Sequence, residues 1–217
     1  MAAETINIDA LRSAPVKMEP FPYLIVPGFI RPEAMANIEA DYPKVELPGS
    51  FPLPTPNYGP HFRQLMEEIC GPEMTDAIAG KFKLDLNGRP TMITVRGQCR
   101  ATDGQIHTDS RTKLITVLIY MNGKWENPGG RLRLLRSPDN LNDAFDEVPP
   151  DQGTLLAFVN RPNAWHGHEP FEGQRRAIQL NWVKNRGVVW YEQNRHRLSA
   201  ALKRFRARHR SRAMYSL

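Results

Sequence analysis

Two kinds of hydrophobic spacing divide the chain. Up to about residue 88 most apolar positions recur at helical intervals. In RPEAMANIEADYP, Pro32 suits the first turn of a helix, Glu33 suits its positive end, and Pro43 stops it. From about His61 to Ile78, Phe62, Leu65, Met66 and Ile69 share one helical face, with a break near Gly71-Pro72. A short strand over 23–26 precedes these helices and ends at Pro27-Gly28, and a proline-rich connection fills 44–60. After Gly88 the pattern becomes β-like in TMITVRG, KLITVLIYMN, GRLRLLRS, GTLLAFVN and RRAIQLNWV, with Gly, Pro, Asn or Asp in each gap. Helices followed by a run of strands imply an α+β fold with an antiparallel sandwich or barrel as its core. The expected divisions are an N-terminal strand with supporting helices over 1–90, the core over 91–184, and a C-terminal helix or tail over 185–217, all of one domain. In that tail Leu198, Leu202 and Phe205 fall on one helical face.

Composition changes this picture little. With 217 residues, 41% hydrophobic and 24% charged, the chain can build one sizeable core. The formal charge of +6 is concentrated at the end, because 194–217 holds no acidic residue beside eight Lys and Arg. The tail is therefore either a solvated basic helix face or a contact for nucleic acid, an anionic surface or an acidic partner. Two cysteines, Cys70 and Cys99, make no disulfide framework. No apolar signal region opens the chain, and the longest apolar run, 114–121, is too short to span a bilayer, so a cytoplasmic setting is expected.

Candidate chemistry centres on His107 and Asp109. At i and i+2 on extended backbone they point to one side, so an imidazole and a carboxylate can reach one ion. Alone, such a pair is more often an ordinary polar turn. A second histidine would complete a two-histidine, one-carboxylate set with open coordination positions, the arrangement of non-heme Fe(II) oxygenases. His166 and His168, at the entry to a later strand, are the candidates. Such an oxygenase also needs a cation for a dicarboxylate co-substrate, and Arg175 and Arg176 follow. Strand parity puts Arg176, Ile178, Leu180 and Trp182 on an apolar face, and Arg175, Ala177, Gln179 and Asn181 on a face of small and polar residues suited to a cavity. Parity thus favours Arg175 as the inward cation. Tyr120 shares a face with Thr116 and Leu118, and its hydroxyl would need a partner there.

These features occur in a telling order: His107-x-Asp109, TVLIYMN with its closing Tyr-x-Asn, Trp125, GGRLRLL, GTLLAF, Trp165-His166 with Pro170, then the arginine. From about Met92 to Val183 the chain resembles the Fe(II)/2-oxoglutarate-dependent dioxygenases of the prolyl 4-hydroxylase-like branch, including the bacterial prolyl-hydroxylase-like and hypoxia-sensing proteins. The resemblance implies a double-stranded β-helix, or jelly roll, carrying Fe(II), with 2-oxoglutarate as co-substrate, dioxygen as oxidant and ascorbate as an accessory reductant. It implies His107, Asp109 and His166 as metal ligands, His166 being preferred to His168 by Pro170 and the arginine spacing. It implies Arg175 and Tyr120 as holders of the distal 2-oxoglutarate carboxylate, Leu132 beside the co-substrate's chain, and hydroxylation of a C–H bond such as that of a prolyl residue. The family's tyrosine before His-x-Asp is missing, and Arg96, Arg100 and Gln105 stand in that region. The substrate, a protein residue or a small molecule, is therefore open. Alternatives are a nucleic-acid demethylase of the same superfamily, although Asn181 stands where that branch carries a second arginine, and a non-catalytic metal-binding jelly roll. Arg111 and Lys113 are read as solvated or substrate-facing.

Overall fold

The structure is a computed structural model, and it describes residues 4–53, 57–187 and 189. The chain opens with α1 (Ile8–Ser13), β1 (Tyr23–Val26), α2 (Pro32–Ala40), β2 (Phe51–Pro52), α3 (Pro60–Ile69) and α4 (Pro72–Phe82). Seven strands follow: β3 (Thr91–Cys99), β4 (Lys113–Tyr120), β5 (Leu132–Leu135), β6 (Ala144–Val148), β7 (Leu155–Val159), β8 (Trp165–Gly167) and β9 (Gly173–Val183). The basic segment expected as a C-terminal helix lies, from residue 190 onward, outside the described residues.

The helices begin where the backbone is pre-set for them. Pro32, Pro60 and Pro72 each occupy the first turn, where an N–H would have no intrahelical partner. In α3 the apolar stripe of Phe62, Leu65, Met66 and Ile69 is wholly buried.

A six-stranded antiparallel sheet has the order β1-β7-β4-β9-β3-β2, and a three-stranded sheet the order β6-β5-β8. The two form the jelly roll. Beyond β8 the smaller sheet is continued by an isolated bridge between His107 and His166. Ile178, Leu180 and Trp182 of β9, with Ile115, Val117 and Ile119 of β4, pack outward in one cluster with α1 to α4. Tyr120, Ala177, Leu132, Leu134 and Phe158 form the second cluster, between the sheets. Strand β4 is covered on both sides, which is why it reads as a near-continuous apolar run.

The sequence pattern did not announce α1, β2, β6 or β8. Strand β8 is only three residues long, β2 only two, and β6 carries Asp146 and Glu147 with one buried position, so none shows a countable period. GRLRLLRS is shorter as a strand than it reads, because only Leu132–Leu135 pairs with β6, and of these only 133–135 pair with β8. Among the described residues no helix is long and apolar enough to cross a membrane.

Candidate metal centre

His107 and His166 face each other across two backbone hydrogen bonds, each N–H donating to the other's carbonyl at 3.0 Å. This places their rings 4.3 Å apart. Each Nδ1 lies beside a backbone carbonyl, that of Gln105 at 2.7 Å and that of Ala164 at 3.0 Å. A proton on Nδ1 satisfies those carbonyls and leaves each Nε2 lone pair free to ligate. Asp109 completes the group: one ligand atom from each of the three residues lies within 4.8 Å of the others. Among the described residues this is the only such set, and His168 does not join it.

The carboxylate is held from behind. Lys113 Nζ donates to one oxygen at 2.7 Å and Thr116 Oγ1 donates to the other. Asn181 Nδ2 in turn donates to Thr116 Oγ1 at 2.8 Å, which turns the hydroxyl proton toward Asp109. Burial alone would raise the Asp109 carboxyl. The charges of Lys113 and His166, with the Lys113 and Thr116 hydrogen bonds, overcome that and hold it at about 2. Burial lowers His166 to about 4, against the pull of Asp109, so the ring is neutral as a ligand must be.

The pocket in front of the triad, about 620 Å³ out to its mouth, is lined by Leu118, Tyr120, Leu132, Arg175, Ala177 and Gln179 among others. Asn122 decides which arginine enters it. Its side chain accepts from Arg176 N at 2.7 Å and donates to Arg176 O at 3.0 Å, clasping the start of β9. Arg175 then points inward and is buried, while Arg176 lies over the Tyr42 ring on the opposite face. Arg175 Nε donates to Gly130 O at 2.8 Å, and its guanidinium carbon stands 5.4 Å from the Tyr120 ring centre. Arg175 Nη2 and Tyr120 Oη are buried with no hydrogen-bond partner. Burial pushes the Tyr120 phenol up, partly offset by the Arg175 charge, so the phenol keeps its proton. A guanidinium and a hydroxyl left unpaired side by side are costly unless an anion joins them. A carboxylate fits both.

Residues 97–184, the stretch that holds this triad, Tyr120 and Arg175, match the 2OG-Fe(II) oxygenase superfamily. That match takes in 88 of the chain's 217 residues. With the triad, it supports Fe(II)- and 2-oxoglutarate-dependent dioxygenase chemistry for this chain. In fold the oxygenase is similar to a Pseudomonas putida prolyl-4-hydroxylase, with 16% identity over 82% of this chain and 97% of the other, at a TM-score of 0.56. It is also similar to a viral collagen prolyl hydroxylase from Paramecium Bursaria Chlorella virus-1, solved as a 2OG complex, with 13% identity over 75% and 96% of the two chains and a TM-score of 0.51. No curated protein matches the sequence.

Sequence reasoning left Lys113 between solvent and substrate; in the oxygenase it is neither, since it pairs with Asp109 and both side chains are largely buried. The signal for it was its spacing of four from Asp109, which a loop conformation hides. Arg111 is exposed. His168 sits behind Gly104, whose missing side chain makes the room: a Cβ there would lie 2.4 Å from the His168 ring. His168 Nδ1 lies 2.8 Å from Glu169 O, and burial, with the Arg175 charge, lowers the ring to about 4.

Proposed function

We propose that the oxygenase hydroxylates an unactivated C–H bond of its substrate through His107, Asp109, His166, Arg175 and Tyr120. One atom of dioxygen enters the substrate and the other enters succinate, as 2-oxoglutarate loses carbon dioxide. The convergence of His107, Asp109 and His166 from two separated parts of the chain carries this reading. Those three side chains would hold Fe(II). The bound metal and co-substrate supply dioxygen activation and oxidative decarboxylation.

The chain's own residues do the placing. Lys113 and Thr116 keep Asp109 ionised and fixed in orientation, while the Gln105 and Ala164 carbonyls keep each histidine proton on Nδ1. Arg175 Nη2 and Tyr120 Oη donate to the far carboxylate of 2-oxoglutarate, which sets which end faces the metal. Leu118, Leu132 and Ala177 give its methylene chain a dry wall. Residues 91–184 make up this catalytic core and 1–90 buttress it, with α1 to α4 packed on the outer face of the large sheet. Asn181, where a demethylase would carry its second arginine, is engaged with Thr116, which favours simple hydroxylation.

A reducing, cytoplasmic setting is part of the same proposal, supported by two free thiols, Cys70 and Cys99. Ascorbate would serve as the reductant that keeps the metal ferrous. The test is anaerobic 2-oxoglutarate binding to the Fe(II)-loaded protein, followed by succinate release on admitting oxygen. Peptidyl proline belongs in the first substrate screen, because the two similar structures are prolyl hydroxylases. Absence of 2-oxoglutarate binding in the loaded wild type sinks the reading.

A further inference from the structure

A second arginine faces the same pocket. Arg96 on β3 pairs with Ala177 on β9, and Ala177 pairs with Tyr120 on β4, so the three stand in one row across neighbouring strands. All three line the pocket. Ala177, between Tyr120 and Arg96 in that row, contributes only a methyl group. Arg175 turns toward Gly130 and Tyr120, the side of β4 and β5. Arg96 stands on the other flank of Ala177, toward the edge where Gly104 and His168 complete the lining.

Arg96 is pre-positioned and unpaired. Its Nε donates to Ser50 Oγ at 2.8 Å, which fixes the guanidinium plane. Its two terminal nitrogens make no hydrogen bond or ion pair with a described residue. Asp103, the carboxylate whose charge acts on Arg96, is already taken by Arg100, through its backbone N–H at 3.0 Å and Nη2 at 3.1 Å. Burial and the charge of Arg175 work against the Arg96 cation, and the charge of Asp103 offsets them only in part.

The charges around the pocket say what is missing. Two cations of the lining, Arg96 and Arg175, face one carboxylate, Asp109, which Lys113 already holds from behind; Asp103, outside the lining, acts on Arg96 but is hydrogen-bonded to Arg100, and His166 and His168 are held neutral. A divalent ion and a dianionic co-substrate cancel each other, so loading them leaves that excess in place. The far carboxylate of 2-oxoglutarate satisfies Arg175, and its near carboxylate belongs at the metal. Arg96 still lacks a hydrogen-bonded counter-ion, and a part-buried guanidinium whose terminal Nη1/Nη2 edge is free is matched by a carboxylate.

We propose that Arg96 binds a carboxylate of the hydroxylated substrate, so that the oxygenase acts on a small carboxylic acid and not on an uncharged stretch of polypeptide. This rests on the dioxygenase reading of the pocket and names its substrate class.

Acetate is the probe, observed by saturation-transfer NMR on the full chain loaded with Zn(II), a redox-inert stand-in for iron, and saturating 2-oxoglutarate. Transfer to acetate is expected in the wild type. It should weaken about fivefold or more in Arg96→Gln, and by no more than about threefold in Arg96→Lys, which keeps the charge but loses the planar fork. The affinity for 2-oxoglutarate should stay within about twofold in both variants. Circular dichroism and the retained 2-oxoglutarate affinity show that the variants fold. Failure of the loaded wild type to bind acetate overturns the proposal, as does acetate binding indifferent to Arg96→Gln. Loss of 2-oxoglutarate affinity in Arg96→Gln, as large as in Arg175→Gln, assigns Arg96 to the co-substrate and also overturns it. Failure of the wild type to bind 2-oxoglutarate at all instead removes the dioxygenase reading beneath it.

Discussion

The two faces of the six-stranded sheet are built on the same strands and do opposite work. On the helix side, Ile115, Val117, Ile119, Ile178 and Leu180 are buried against other apolar groups and bring no polar side-chain atom to satisfy. On the cavity side, one residue along, stand Thr116, Tyr120, Arg175 and Asn181, equally buried but polar. Thr116 and Asn181 satisfy each other and Asp109. Tyr120 and Arg175 keep atoms without a partner. The outer face therefore contributes stability, and the inner face spends some of it to hold groups ready for a ligand. The two kinds of change should separate in experiment.

The largest effect is expected at the metal. Asp109→Ala leaves two imidazoles and a stranded Lys113, and should lower 2-oxoglutarate turnover by about a thousandfold, measured as succinate release. Next comes the outer face: Leu180→Ala, at a fully buried position, should cost about 3 kcal/mol of unfolding free energy in urea. Its affinity for 2-oxoglutarate should change little among the molecules still folded. An inner-face change does the reverse. Arg175→Gln should weaken 2-oxoglutarate binding about tenfold or more by calorimetry, while urea stability of the ligand-free protein changes by less than about 1 kcal/mol, since an unpaired buried charge is removed. Arg176→Gln, on the outer side over Tyr42, should alter 2-oxoglutarate binding by less than about twofold. If Arg176→Gln rather than Arg175→Gln weakens it, the contrast between the faces fails.

A smaller, graded effect concerns pH. His166 and His168 are held neutral down to about 4, mainly by burial, whereas an unfolded imidazole takes up its proton near 6.5. Between those values the unfolded chain binds more protons than the folded one, so stability falls as pH falls through that window. The metal-free protein should show this as a declining urea midpoint, and His168→Asn should flatten part of the decline.

The contrast between the faces also explains what could be read in advance. Alternation along RRAIQLNWV separated Arg175 from Arg176, because one-residue steps on a strand change face and the apolar set has only one place to go. His107 and Asp109 were legible as a pair because they are two apart. The roles of Lys113, Asn122 and Arg96 were not. Each depends on a partner distant in sequence or on a loop conformation that carries no period: Lys113 curls back onto Asp109, Asn122 reaches Arg176, and Arg96 meets Ala177 and Ser50.

The sequence by itself determined the order of helices and long strands, the inward side of β9, and the residue types able to ligate a metal, since periodicity and chemistry are local properties. The family resemblance preferred His166 to His168, but only the tertiary structure brings it to His107 and Asp109, because that depends on the antiparallel bridge between His107 and His166 and on the room Gly104 leaves for the other ring. Only it showed which cations lack a counter-ion, because charge compensation is a sum over neighbours that the linear chain does not place together.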